Sequence, residues 1–274
     1  MAKKKKADTR HLMHGVCPLN AVPVRFKPDE SFPFLSQLLF GETCHILEKK
    51  NKHWFKVFSE QSQVTGWIQA MQIQLIEEKQ FIEYNNNFGI ALEVCSPVMS
   101  DEISMPVVLG SSLPNFDGIS CQLGQTSFVY NGQAVKTGEL EWNPELFIKL
   151  AKRYLHSPEM SGGRTPFGID SPALVQQLYA FFHLTLPRFS SDQFPLGEIV
   201  DFVELAQPGD IAFFHDQDDR IHHCGLVIGP KKILHSFGQV RIDKLDHHGI
   251  FNTGLLKYTH KLRVIKRMAV TQMP

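Results

Sequence analysis

Residues 170–182 constrain the fold more than any other segment. Asp170 is a good helix cap and Pro172 suits a first helical turn. Ala173, Leu174, Val175, Leu178, Tyr179, Phe181 and Phe182 then leave the helix apolar on most sides. Such a helix must be wrapped by other structure. At 274 residues the chain is long enough for two domains, or for one large domain with small attachments.

The segments around this helix supply the wrapping. Asn143 and Pro144 open an earlier helix, with Leu146, Phe147, Leu150, Ala151, Tyr154 and Leu155 on one face. The turn Ser161-Gly162-Gly163-Arg164 separates the two helices. Strands follow at Ile211–Phe214, Gly225–Ile228 and Lys232–His235, with Gly229-Pro230-Lys231 as a turn. Helices followed by an antiparallel sheet make an α+β domain, placed at residues 141–274.

The preceding residues read as β-structure. From Val16 to Ile76, about five short strands broken by turn residues predict a small β-barrel. Residues 79–140 read as a second all-β module, in which Asn131-Gly132 signals a hairpin after Thr126–Tyr130. Trp54 and Trp67 read as barrel core. Residues 1–14, with the run Lys3–Lys6, read as a basic disordered tail.

Lys and Arg together number 28, as do Asp and Glu, and this balance gives no support for nucleic-acid or anionic-membrane binding. After Lys3–Lys6 the sequence Ala7-Asp8-Thr9-Arg10-His11 stands where a secretory signal needs an apolar run, so a cytoplasmic location is expected. The 5 cysteines are widely spaced without a CxxC pair, which argues against disulfides and a structural zinc site. His222-His223 and His247-His248 match no ligand spacing, and neither a metal nor a cofactor is expected. Oligomeric state is left open.

Thiol peptidases place a cysteine at the start of a buried helix, a histidine base on a neighbouring strand and a polar group that orients the histidine. Gly168-Ile169-Asp170 before the apolar helix, Pro208-Gly209-Asp210 before Phe213-Phe214, His222-His223-Cys224-Gly225 and Ile233-Leu234-His235-Ser236 follow that order. Together they resemble the NlpC/P60 family, which implies a papain-like domain. Val22-Pro23-Val24-Arg25, Gly41-Glu42, Trp54–Val57 and Gly66-Trp67-Ile68 resemble a bacterial SH3 domain. Residues 15–78 and 79–140 are accordingly expected to be two small SH3-like β-barrel modules in front of the papain-like domain.

The resemblance implies a site at Ser171, His223 and His235, as nucleophile position, base and orienting group. The family has Asp-Cys-Ser-Gly where this chain has Asp170-Ser171-Pro172-Ala173. Glu159-Met160-Ser161 replaces Tyr-x-Trp, and Pro187-Arg188-Phe189 replaces a Pro-Arg-Asp whose carboxylate receives a substrate amine. Glu159, Ser161, Asp170, Phe189 and Ser190 form the expected substrate pocket. An alcohol cannot be drawn to its anion as a thiol can.

Three functions are open at this point. The first is an inactive relative of muropeptide γ-D-glutamyl endopeptidases that binds a peptide or muropeptide-like ligand. The second is an active hydrolase using Ser171, and the third is an interaction protein working through the SH3-like modules. Ser171 reads equally as a direct binding residue and as a helix-start residue whose hydroxyl meets the backbone. Cys224 should face away from the cleft, because adjacent strand residues point to opposite sides.

Overall fold

The computed structural model describes residues 13–269. Almost all of the expected basic tail therefore lies outside the described residues.

The first unit contains β1 (Met13–Val16), β2 (Ala21–Arg25), β3 (Phe34–Leu39), β4 (Thr43–Lys50), β5 (Trp54–Ser59), β6 (Val64–Gln69) and β7 (Gln74–Ile76). These form one antiparallel sheet in the order β3-β2-β6-β5-β4-β1-β7, with seven strands where about five were expected. Alternation in β5 and β6 turns Phe55, Val57 and Ile68 inward. Trp54 and Trp67 are half-buried on the opposite face, so the expectation that they fill the core is corrected.

The second stretch is not all β. It opens with helix α1 (Glu78–Asn86), where Glu77 and Gln80 form a capping box and Phe81 and Tyr84 are buried. The remainder is β8 (Phe88–Ala91), β9 (Cys95–Met99), β10 (Ser104–Val108), β11 (Ser112–Pro114), β12 (Ser120–Leu123), β13 (Thr126–Tyr130) and β14 (Ala134–Lys136). Asn131-Gly132 does not close a hairpin. It carries the chain from the sheet β10-β9-β13-β12 to the separate sheet β11-β8-β14, because β13 is already paired on both sides.

In the C-terminal unit, Asn143 caps α2 (Pro144–Lys152) by accepting from the amides of Glu145 and Leu146. This helix ends before Tyr154, which is buried from a following turn. The short strands β15 (Arg164–Thr165) and β16 (Gly168–Ile169) lead into α3 (Ser171–Ala180), and α4 (Ser190–Gln193) follows. Then come β17 (Glu198–Val200), β18 (Ile211–His215), β19 (Ile221–Gly229), β20 (Lys232–Phe237), β21 (Gln239–Asp246), β22 (Gly249–Asn252) and β23 (Lys257–Arg267). Strands β23-β18-β19-β20-β21-β22 pair in that order, and β22 returns to β23, closing a six-stranded barrel beside β17.

The apolar helix is buried as its composition requires. Leu174, Val175, Leu178 and Tyr179 pack with Phe147 and Leu150 of α2 and with Leu226 and Leu234 of the barrel. The barrel interior holds Ala212, Phe214, Val227, Ile233, Leu245, Ile250 and Ile265. Among the described residues, no helix is long and apolar enough to cross a membrane.

Candidate functional site

The start of α3 is held by its capping residue. Asp170 Oδ1 accepts from the Ala173 amide at 3.0 Å, Oδ2 accepts from the Gly162 amide at 2.8 Å, and Arg188 Nη2 reaches Oδ2 at 2.6 Å. Gly162 has φ +83°, and a side chain there would strike the Phe34 carbonyl. These bonds fix Ser171 as the first helical residue, only 2% exposed.

Ser171 Oγ accepts from the Ser236 amide of β20 at 2.8 Å and lies 3.3 Å from the Ser236 carbonyl. Ser236 Oγ donates to the Ile169 carbonyl at 2.9 Å. The Ser171 hydroxyl therefore stitches the helix start to the barrel. Its distance to His223 Nε2 is 3.4 Å.

β19 and β20 pair with Leu226 opposite Leu234, which puts His223 and His235 diagonally on one face. His223 Nε2 lies 2.9 Å from His235 Nδ1, and His235 Nε2 lies 3.2 Å from Asp243 Oδ2. Arg241 Nη2 donates to Asp243 Oδ1 at 3.1 Å, and Asn252 Nδ2 donates to Asp243 Oδ2 at 3.2 Å. His260 of β23 stacks on His223 with ring centroids 4.0 Å apart.

Burial, reinforced by His260, His235 and His222, holds the His223 pKa well below its ordinary value. Burial and the neighbouring His235 and His222 bring His260 down to about 3. Burial pushes the Asp243 carboxyl up, but hydrogen bonds from His235 and Arg241 outweigh it and leave the group below the usual range. His223 is thus neutral at pH 7, as a base must be.

Its Nε2 lone pair is nevertheless committed. If His235 is neutral and donates Nε2–H to Asp243, its Nδ1 is an acceptor and His223 Nε2 must carry the proton. If His235 is charged, it donates Nδ1–H to His223 Nε2. Neither state leaves that nitrogen free to take a proton from Ser171.

The expected pocket residues are only partly gathered. Asp170 adjoins Ser171, and Glu159 Oε2 accepts from the Gly238 amide at 2.7 Å just beyond Ser236. Ser161 is exposed in the glycine turn, Phe189 is exposed before α4, and Ser190 is buried at its first position. Cys224 lies on the opposite face with Sγ 3.7 Å from Gln193 Oε1, and burial pushes its thiol pKa up.

Sequence reasoning missed Asp243, Asn252 and His260, which sit on strands it did not identify. It also missed the first unit's contribution. Arg188 Nε donates to Ser36 Oγ at 3.2 Å, and Arg164 Nη1 and Nη2 grip Glu42 at 2.8 and 2.9 Å.

Residues 158–258 match the NlpC/P60 family. Gamma-D-glutamyl-L-lysine dipeptidyl-peptidase of Bacillus subtilis is 30% identical over 221 residues, covering 73% of this chain and 71% of the relative. The chain belongs to the NlpC/P60 family. The enzyme of the same name from Bacillus cereus is 35% identical over 91 residues, 32% of this chain and 27% of that protein. Among solved structures, an NlpC/P60 family protein from Bacillus cereus superposes with a TM-score of 0.78 at 19% identity, covering 93% of this chain and 99% of that one. An NlpC/P60 endopeptidase from Photobacterium damselae subsp. piscicida gives a TM-score of 0.68 at 18% identity, covering 98% and 75%. These two structures share the papain-like fold with this chain.

Proposed function

We propose that this chain is a non-catalytic NlpC/P60 protein that binds a peptide or muropeptide-like ligand. One observation carries this reading: Ser171 Oγ is engaged by the Ser236 amide at 2.8 Å, while the His223 nitrogen facing it is engaged by His235 at 2.9 Å. The nitrogen that would serve as base is therefore not free for the hydroxyl. The relatives' names supply the ligand class, a peptide containing γ-linked D-glutamate. The seven-stranded first sheet and the two sheets of residues 88–136 support reading the N-terminal half as SH3-like modules that buttress the cleft.

A second reading has its own support. Ser171, His223, His235 and Asp243 follow one another in a run of polar contacts, with Ser171 and His235 sharing His223 Nε2. Turning the His223 ring would free a lone pair for Ser171. The deciding experiment is mass-spectrometric turnover of L-Ala-γ-D-Glu-diamino acid peptides, with calorimetric binding of the same peptides. Binding without turnover at high protein concentration is the expected result. Dipeptide release that disappears in Ser171→Ala would replace this reading with the hydrolase.

A further inference from the structure

We propose that His223, His235 and His260 form a binding site for a divalent transition-metal ion of the zinc type. Three buried imidazoles converge from β19, β20 and β23, with one nitrogen of each within 4.8 Å of the others. They share the inward phase of Val227, Ile233 and Leu262 at one end of the barrel. Imidazole suits zinc, copper and nickel, and three such ligands leave a coordination place for solvent or an anionic ligand group.

The second observation is the set of partners behind the ring nitrogens. A metal-binding histidine characteristically gives its far nitrogen to a carboxylate or another fixed acceptor, which sets the tautomer and aims the near nitrogen. His235 does this: Nε2 meets Asp243 at 3.2 Å, and Nδ1 points into the cluster. Asp243 is itself held by Arg241 and Asn252. His260 repeats the arrangement, with Nδ1 on Thr259 Oγ1 at 2.9 Å and Nε2 left over.

Occupancy changes two contacts. The proton shared by His223 Nε2 and His235 Nδ1 leaves to solvent, and the cation takes its place between the two lone pairs. The stacked rings of His223 and His260 must also part, because imidazole lone pairs lie in the ring plane and stacked rings cannot both aim at one ion. This inference goes beyond the peptide-binding proposal and does not depend on it, so metal binding and peptide binding can fail separately.

The test uses the full chain, stripped with a chelator and titrated with Co²⁺, with Zn²⁺ then competing. One equivalent of Co²⁺ should give the visible absorption of a four-coordinate ion, and Zn²⁺ should abolish it. His260→Gln should weaken binding at least tenfold, and so should Asp243→Asn, as expected for a partner behind a ligand. The double variant His247→Gln/His248→Gln, at an exposed pair, should bind as the parent does. Circular dichroism of each stripped variant checks folding, and Asp243→Asn keeps the test alive should His260→Gln fail to fold. Absence of stoichiometric binding overturns the proposal, as does binding that disappears only in the exposed double variant.

Discussion

Ser171 Oγ and the Ser236 amide are 2.8 Å apart, a distance that makes the hydroxyl the acceptor of a buried backbone N–H. Together with the Ser236 hydroxyl on the Ile169 carbonyl, it joins β16 and the start of α3 to β20. The alternative in which Ser171 is a helix-start residue whose hydroxyl meets the backbone thus gains a specific partner. A thiol is larger and a weaker acceptor, so this stitch suits the alcohol.

Ser171→Ala should therefore act on stability. Removing the hydroxyl leaves the Ser236 amide buried without its acceptor, a loss of about 1–3 kcal/mol. Urea denaturation should show a lower midpoint with an unchanged slope, while peptide affinity stays within about twofold, less than ~0.4 kcal/mol. A variant as stable as the parent would remove the structural role assigned to the hydroxyl.

Ser171→Cys should restore a reactive group without restoring the relatives' chemistry. A thiol at a helix start gains thiolate character and should be alkylated by iodoacetamide faster than Cys224, whose pKa burial raises. Turnover of L-Ala-γ-D-Glu-diamino acid peptides should remain absent, because His223 Nε2 stays bound to His235 and Phe189 offers no charge to a substrate amine. Efficient turnover by this single variant would show that the rest of the pocket is intact.

Phe189→Asp tests the expected amine-binding position. Phe189 is 38% exposed, and its neighbour Arg188 is already paired with Asp170, so a new carboxylate would be free to meet a ligand amine. Calorimetry should show roughly tenfold tighter binding of an N-terminally free peptide, about 1.4 kcal/mol, and no gain for the blocked peptide. Equal gains for both would place the ligand amine elsewhere.

Much of this site was legible where chemistry and local structure coincide. Asp170 before an apolar helix predicted the cap that fixes Ser171, and Gly229-Pro230-Lys231 predicted the turn between the strands that carry His223 and His235. Asp243 and His260 were not legible. Asp243 reaches His235 through the β20–β21 pairing, and His260 reaches the site only because β23 closes the barrel against both β18 and β22. The helix α1 was missed because Glu77, Gln80, Phe81 and Tyr84 lie in a short polar stretch between strands. Asn131-Gly132 misled because turn chemistry specifies a reversal, while the choice of partner strand is set by the whole sheet.

His14 predicts a pH dependence in the N-terminal half. It stacks on Phe81 at 4.3 Å, and burial together with His45 holds its pKa below the ordinary value, against a smaller opposing pull from Glu78. The native state then binds a proton less readily than the unfolded chain. Stability from this group is complete above the unfolded pKa and declines as pH falls through it, by at most ~1.4 kcal/mol per pH unit. Between about pH 7.5 and about pH 5.5, His14→Phe should lose less stability than the parent in urea denaturation, the unfolded pKa of ~6.5 lying inside that window. Equal losses would show that His14 titrates normally in the folded protein.

Arg164 ties the halves of the molecule together through buried contacts. Its side chain is 1% exposed and meets Glu42 through both terminal nitrogens, with further bonds to the Gln37 carbonyl at 2.6 Å and Gln177 Oε1 at 2.8 Å. Arg164→Met strands the Glu42 carboxylate in a buried place, and removing one partner of such a pair costs about 3–5 kcal/mol. Removing both charges is milder, so Arg164→Met/Glu42→Gln should recover part of that loss in a double-mutant cycle read by chemical denaturation. Because Arg164 leads through β15 and β16 to Asp170, the single variant should also weaken peptide binding, and the double variant should regain it in parallel with stability. Additive losses in the cycle would mean that the two side chains act independently and that the halves are held together elsewhere.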